Sequence, residues 1–192
     1  MSERSVRGYM FFGTGKYLET AYDDATRAVI LDAMSPRVRG LMAKVDNVTW
    51  YPREDISEVL GTIAAYHHQK DGKEREALEG IGSCICETAT NTFLKLIMRI
   101  LTPSLFQSKL PDFWRRDHKF GALTPSLFDT NQRRMLVSLT DVEGYDYIGP
   151  VAQGFMRFAL NGVFNYANVR CKYDWDIKNP GPASIDYEFT WG

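Results

Sequence analysis

Apolar residues recur at three- and four-residue steps through much of the first half of the chain and at alternate positions near its end. Ile56, Val59, Leu60, Ile63 and His67 form one stripe, which predicts an amphipathic helix between Pro52 and a break at Asp71-Gly72. Leu78, Ile81, Ile85, Ala89, Phe93, Leu96 and Ile100 form a second stripe, on a helix over 73–101. The middle of that segment (Gly82, Ser83, Cys84, Cys86, Thr88, Ala89) is built of small residues, which let another element approach or leave room for a ligand. Tyr17, Leu18, Ala21 and Ala25 put helix over 16–33, and Ser35-Pro36 reads as an N-cap with proline at the first helical position. Val6 to Phe12 is apolar on both faces and reads as a buried first strand stopped by Gly13-Thr14-Gly15. Val48 to Tyr51 is a short extended piece closed by Pro52. Thr102-Pro103 and Leu110-Pro111 each predict the start of a further helix.

After Gly121 the period changes. Met135, Val137 and Leu139 alternate with Leu136, Ser138 and Thr140 as a strand, and Val151, Phe155, Phe158, Ala159 and Gly162 return to helical spacing. Cys171, Tyr173, Trp175 and Ile177 then share one strand face, and Ile185, Tyr187, Phe189 and Trp191 share another, with Asn179-Pro180-Gly181-Pro182 as the turn between them. The order is a helical half followed by strand, helix, strand, strand. It predicts an α+β fold in which the helical N-terminal half packs on a C-terminal antiparallel sheet.

At 192 residues the chain has the length of one domain, 1–192, with a sizeable core. With 44% hydrophobic and 24% charged residues, disorder and coiled coil are excluded. A net charge of −1 argues against a general nucleic-acid binder. The longest apolar-rich segment, Phe93 to Leu101, is too short to span a bilayer and carries Lys95 and Arg99, so no membrane span is expected. The N-terminus has no stretch resembling a signal peptide, and Cys84, Cys86 and Cys171 are an odd number without framework spacing, which points to the reduced cytoplasm.

Motifs that could carry chemistry are weak. Gly13-Thr14-Gly15-Lys16 lacks the Ser or Thr after lysine and the third glycine that phosphate loops require, and reads as a flexible strand-to-helix turn. His67 continues an apolar stripe as a half-buried core histidine, and His68 points to solvent. Neither the histidines nor Cys84 and Cys86 have metal-ligand spacing, so no metal is expected. Arg115, Arg116, His118 and Lys119 read as the solvated end of a helix, favoured by its dipole. No residue takes a catalytic assignment.

Several stretches carry a family likeness. Val6-Arg7-Gly8-Tyr9-Met10-Phe11-Phe12, Phe93 to Pro111, and Tyr147-Ile148-Gly149-Pro150-Val151 through Phe164 resemble the opening strand, central helix and penultimate helix of one superfamily. It joins the heme–nitric-oxide-binding domain, the vinyl-reductase-type (V4R) small-molecule-binding domain and the TRAPP Bet3-like proteins. Trp50-Tyr51-Pro52, Leu78 through Gly82, and Leu110-Pro111 with Trp114 are similar to a myxobacterial-type family within it. The resemblance implies a sensor or binding module. Heme-binding members carry a histidine near the end of the central helix and a Tyr-x-Ser-x-Arg motif in the strand before the penultimate helix. Here Phe93 to Leu101 has no histidine, and Met135 to Thr140 lacks the motif. Neither an axial ligand nor a propionate clamp is present where expected, so no heme or other cofactor is expected.

The reading that follows is a non-enzymatic small-molecule-binding or sensor module with a hydrophobic pocket between helices and sheet. Ser83, Cys84 and Thr88 are expected on one wall, with Phe158, Tyr173 and Trp175 on the other. The alternatives are a dimerising scaffold that uses Tyr187 and Trp191, or another protein partner, at its interface, and a small-molecule enzyme.

Overall fold

Why the first element is so short is a question of backbone clearance. A computed structural model describes residues 4–89, 102–173 and 184–192. Strand β1 (Ser5–Arg7) pairs antiparallel with β2 (Trp50–Pro52), Val6 opposite Tyr51. The expected strand through Phe12 is instead helix α1 (Tyr9–Ala21), and the Gly13-Thr14-Gly15 turn lies inside that helix. A Cβ on Gly13 would come within 2.8 Å of the Ile85 backbone, so this glycine serves a helix crossing. The helix expected over 16–33 divides at Asp23, whose carboxylate accepts from Thr26 N at 2.8 Å and starts α2 (Asp24–Asp32). Ser35 caps α3 (Pro36–Met42) as the sequence predicts.

Helix α4 (Arg53–Lys70) buries Ile56, Val59, Leu60 and Ile63 completely. Gly72, with φ +67°, turns the chain into α5 (Glu74–Ala89). The continuation of that helix through Phe93 to Leu101 lies outside the described residues. Helix α6 (Pro103–Asp117) is capped by Thr102 and runs unbroken through Pro111, so Leu110-Pro111 starts no new helix.

The second half carries the sheet. Strands β3 (Ala122–Asp129), β4 (Arg134–Thr140), β5 (Arg170–Lys172) and β6 (Ser184–Thr190) stand in the order β3-β4-β6-β5, each pair antiparallel. Between β4 and β5 runs helix α7 (Ile148–Phe164). The alternation appears as predicted: Met135, Val137, Leu139, Ile185, Tyr187 and Phe189 are buried, while Ser184 and Asp186 face solvent. Strand β3 gave no sequence signal. Pro125 lies within it, and the register slips between Pro125 and Leu127.

The core is continuous across both halves, and the crossing of α5 and α7 is among its closest backbone approaches. A Cβ on Gly82 would stand 1.9 Å from the Val151 carbonyl oxygen, and one on Gly154 the same 1.9 Å from that of Glu79. Each helix thus presses a glycine on the other's backbone. No helix among the described residues is long and apolar enough to cross a membrane.

Candidate functional site

Two residues at the end of α6 set up the site. Trp114 is 6% exposed and donates its indole Nε1–H to the Phe120 carbonyl at 2.8 Å. Four residues on, the His118 ring stacks on the Trp114 indole, with centroids 3.7 Å apart and planes 7° from parallel. His118 N bonds the Trp114 carbonyl at 2.9 Å, and Nδ1 lies 3.3 Å from the same oxygen. The next residue, Lys119, donates from its backbone N to Ser5 O at 2.9 Å, which fastens this corner to β1.

These residues belong to the wall of a cavity of about 50 Å3. Tyr9 and Met10 come to it from α1, Ile85 from α5, Leu110, Phe113 and Trp114 from α6, Leu123 from β3, and Val151, Ala152, Phe155 and Met156 from α7. The lining is apolar apart from Tyr9, Asp117 and His118. Asp117 is already paired: both carboxylate oxygens accept from Arg116, each at 2.7 Å. Burial and the neighbouring Asp117 push the Tyr9 hydroxyl up, so it stays protonated.

His118 differs from both. Burial pushes its imidazole down to about 3, which leaves it neutral at physiological pH. With Nδ1–H directed to the Trp114 carbonyl, Nε2 carries the lone pair, and that buried atom has no hydrogen-bond partner. Beside the same ring, 5.9 Å between centroids, stands Tyr145, wholly buried, its hydroxyl also unpartnered. His118 was expected at a solvated helix end; it is 6% exposed, because the chain folds back through Phe120 and Tyr145 over its ring.

The residues expected to bind a ligand sit elsewhere. Ser83 Oγ is committed to backbone, 3.1 Å from Glu79 O and 3.2 Å from Gly154 O, at the α5–α7 crossing. The small-residue patch therefore admits a helix at Gly82. Cys84 and Thr88 are half-buried on α5 outside the cavity wall, and burial raises the Cys84 thiol. Phe158 is half-buried on α7, and Tyr173 lies under the Arg75 guanidinium, 5.0 Å from its ring centre. Trp175 lies outside the described residues. Tyr187 and Trp191, expected at an interface, are 3% and 9% exposed. Tyr187 donates to Gly149 O at 3.0 Å, and Trp191 stacks on Tyr166 at 4.4 Å, so the chain itself covers both. His67, in contrast, lies where its stripe predicts, between the Tyr22 hydroxyl at 2.6 Å and Asp71 at 3.0 Å.

No family model matches the sequence, and no curated protein matches it. Solved structures do. An Fe(II) unliganded H-NOX protein from K. algicida superposes with a TM-score of 0.69 at 8% identity, covering 97% of this chain and 96% of that one. An H-NOX protein from S. oneidensis in the Fe(II)NO ligation state gives 0.69 at 8%, over 97% and 99% of the two chains. The fold is that of H-NOX domains. A mutant H-NOX from T. tengcongensis agrees, with a TM-score of 0.63 at 7% identity over 96% and 97%. A further chain, solved in work on heme redox potential and porphyrin distortion, gives 0.64 at 7% over 96% and 99%. At such identities the H-NOX likeness fixes the path of the backbone and leaves the chemistry to the side chains of this chain.

The wall residues that sequence reasoning missed had one usable signal. Trp114 and His118 are four apart, hence on one helical face, next to an apolar run at Leu110 and Phe113.

Proposed function

We propose that this chain is a small-molecule-binding sensor module on the H-NOX fold that works without heme and is not an enzyme. The observation that carries the reading is the apolar cavity of about 50 Å3 bounded by α1, α5, α6, α7 and β3, with one neutral imidazole in its wall. Apolar enclosures with a few convergent polar groups are the usual form of a binding site.

The residues present do not fit heme. Sites for drug-sized ligands occupy roughly 300–1,000 Å3, several times this cavity. His118 offers an imidazole of the right kind, yet its ring is held face-on to Trp114 at 3.7 Å, and β4 reads Arg-Met-Leu-Val-Ser-Leu-Thr where a Tyr-x-Ser-x-Arg clamp would stand. By comparison, an engineered apolar cavity of about 150 Å3 admits benzene or xenon. About a third of that volume suits an occupant of very few heavy atoms.

The test has two arms. Titration with hemin is expected to give no stoichiometric Soret band, and xenon is expected to shift the methyl resonances of Ile85, Ile148 and Val151. A one-to-one hemin complex overturns the heme-free reading, and unmoved methyl signals overturn the cavity.

A further inference from the structure

We propose that Tyr22 is a redox-active tyrosine, which yields an electron to an alkylperoxyl radical while its phenolic proton passes to His67 Nε2. The inference is independent of the cavity and of the binding reading above.

The proton path is already in hydrogen-bond contact. Tyr22 directly follows α1, and His67 and Asp71 stand four apart at the end of α4. The Tyr22 hydroxyl lies 2.6 Å from His67 Nε2, and His67 Nδ1 lies 3.0 Å from an Asp71 carboxylate oxygen. An ionised carboxylate only accepts. In the neutral ring Nδ1 therefore bears the hydrogen, and Nε2 turns its lone pair to Tyr22, whose O–H donates. Burial and the neighbouring Tyr17 push the Tyr22 phenol up, so it does not ionise ahead of oxidation. Electron and proton must leave together, and that requires an acceptor within hydrogen-bond reach.

The charge that results is also provided for. The imidazolium is paired with Asp71, which His67 and the Lys73 amide, at 3.0 Å, hold below the usual carboxylate range. It stands in the last turn of α4, where backbone carbonyls favour a cation. In the step the Tyr22 O–H bond breaks and an Nε2–H bond forms. The electron reduces the alkylperoxyl radical to the alkylperoxide anion, leaving a neutral tyrosyl radical beside the imidazolium.

Tyr66 supplies the contrast. Its ring stands edge-on to that of Tyr22 at 6.2 Å and is half-buried as Tyr22 is, yet its hydroxyl faces Lys70 Nζ at 2.7 Å. An ammonium donates only, so Lys70 takes no proton from Tyr66.

The whole chain is exposed to alkylperoxyl radicals from a water-soluble azo initiator at about pH 8, above the ordinary histidine range. A nitroso spin trap captures tyrosyl radicals, and peptide mass mapping counts the adducts. Adduct at Tyr22 is expected to exceed that at Tyr66 by about tenfold or more, the worth of one charge-assisted hydrogen bond. His67→Phe, which keeps a ring beside Tyr22, is expected to level the two. Asp71→Asn, at an exposed position and with an acceptor left for the Lys73 amide, is expected to lower the ratio in the same direction. It carries the test if His67→Phe does not fold. Equal adduct at the two tyrosines of the native chain overturns the proposal. A preference for Tyr22 that survives the loss of His67, or of the Asp71 charge where that variant does not fold, overturns it too, because exposure alone would then set it.

Discussion

Replacing Gly154 with alanine adds one methyl group at the place where two helix backbones meet. The new Cβ would lie 1.9 Å from Glu79 O and 2.7 Å from the carbonyl carbon, where real Cβ contacts essentially never fall under 3.0 Å. Both obstacles are main-chain atoms of α5, so no rotamer change relieves the clash, and the helices must part by about 1 Å along the crossing. That separation strips contacts from buried Leu78, Ile81 and Val151 together, and it strains the Ser83 hydrogen bond to Gly154 O. We expect a loss of about 3 kcal/mol or more. For a chain of this size that corresponds to a fall of roughly 6–12 °C in melting temperature. The control is Gly40→Ala in α3, where nothing lies within 4 Å of the added carbon. There the substitution should stabilise by about 0.5–1 kcal/mol, through helix propensity alone. Urea denaturation of the two variants measures both. If Gly154→Ala stays within about 0.5 kcal/mol of the parent, the crossing is looser than described and the reasoning fails. Adding Gly82→Ala to Gly154→Ala should cost less than the sum, because the first substitution already opens the gap that the second needs.

Other expectations follow from single residues. His118 has a folded-state value of about 3, below the ordinary histidine range, so between about pH 3 and 6.5 the unfolded chain binds the extra proton. Its contribution to stability therefore rises with pH through that window. Between pH 7 and 5 the native protein should lose about 2 kcal/mol that His118→Phe does not, read from paired urea midpoints. Truncation at Trp191→Ala removes a ring stacked on Tyr166 and placed 5.6 Å from Phe128. It should cost about 3–5 kcal/mol of folding stability in a unimolecular transition; a loss that depends on protein concentration would instead place Trp191 between subunits. Cys86, wholly buried and with its thiol pushed up by desolvation, should resist thiol reagents until the chain unfolds, while half-buried Cys84 labels first.

Periodicity made much of the architecture legible. The stripe of α4 and the alternation of β4 and β6 each had a burial contrast to read, and Ser35, Thr102 and Asp71-Gly72 are local signals that act locally. Failures came where a long-range contact overrode the local rule. Val6 to Phe12 alternates poorly because Phe11 is buried by helical packing and Gly13 yields to Ile85, so a segment that reads as strand coils after three residues. Pro111 stays helical because α6 tolerates it, and β3 hides behind Pro125. The site was less legible than the fold. Small residues at Gly82 and Ser83 announce close approach equally for a ligand and for a helix, and only the partner, α7, distinguishes them. The His118 environment is assembled from Trp114, Phe120 and Tyr145, the last 27 positions away, and no window of sequence contains that burial.

The aromatic surplus of 13% has a largely internal use. Phe106, Phe128, Phe164, Tyr166 and Trp191 touch ring to ring, joining α6 and β3 to the ends of α7 and β6.

Strand β3 forms one margin of the four-stranded sheet, and its irregularity has a bearing on self-association. A free margin of a flat strand is a template on which another chain can add hydrogen bonds. Here Pro125 supplies no N–H, and the slip that follows it puts successive amides out of step. A second molecule seeking to prolong the sheet along β3 would find a ladder with a missing rung and an uneven pitch. A strand with a proline and a slipped register is a poorer template for another strand than a regular edge would be.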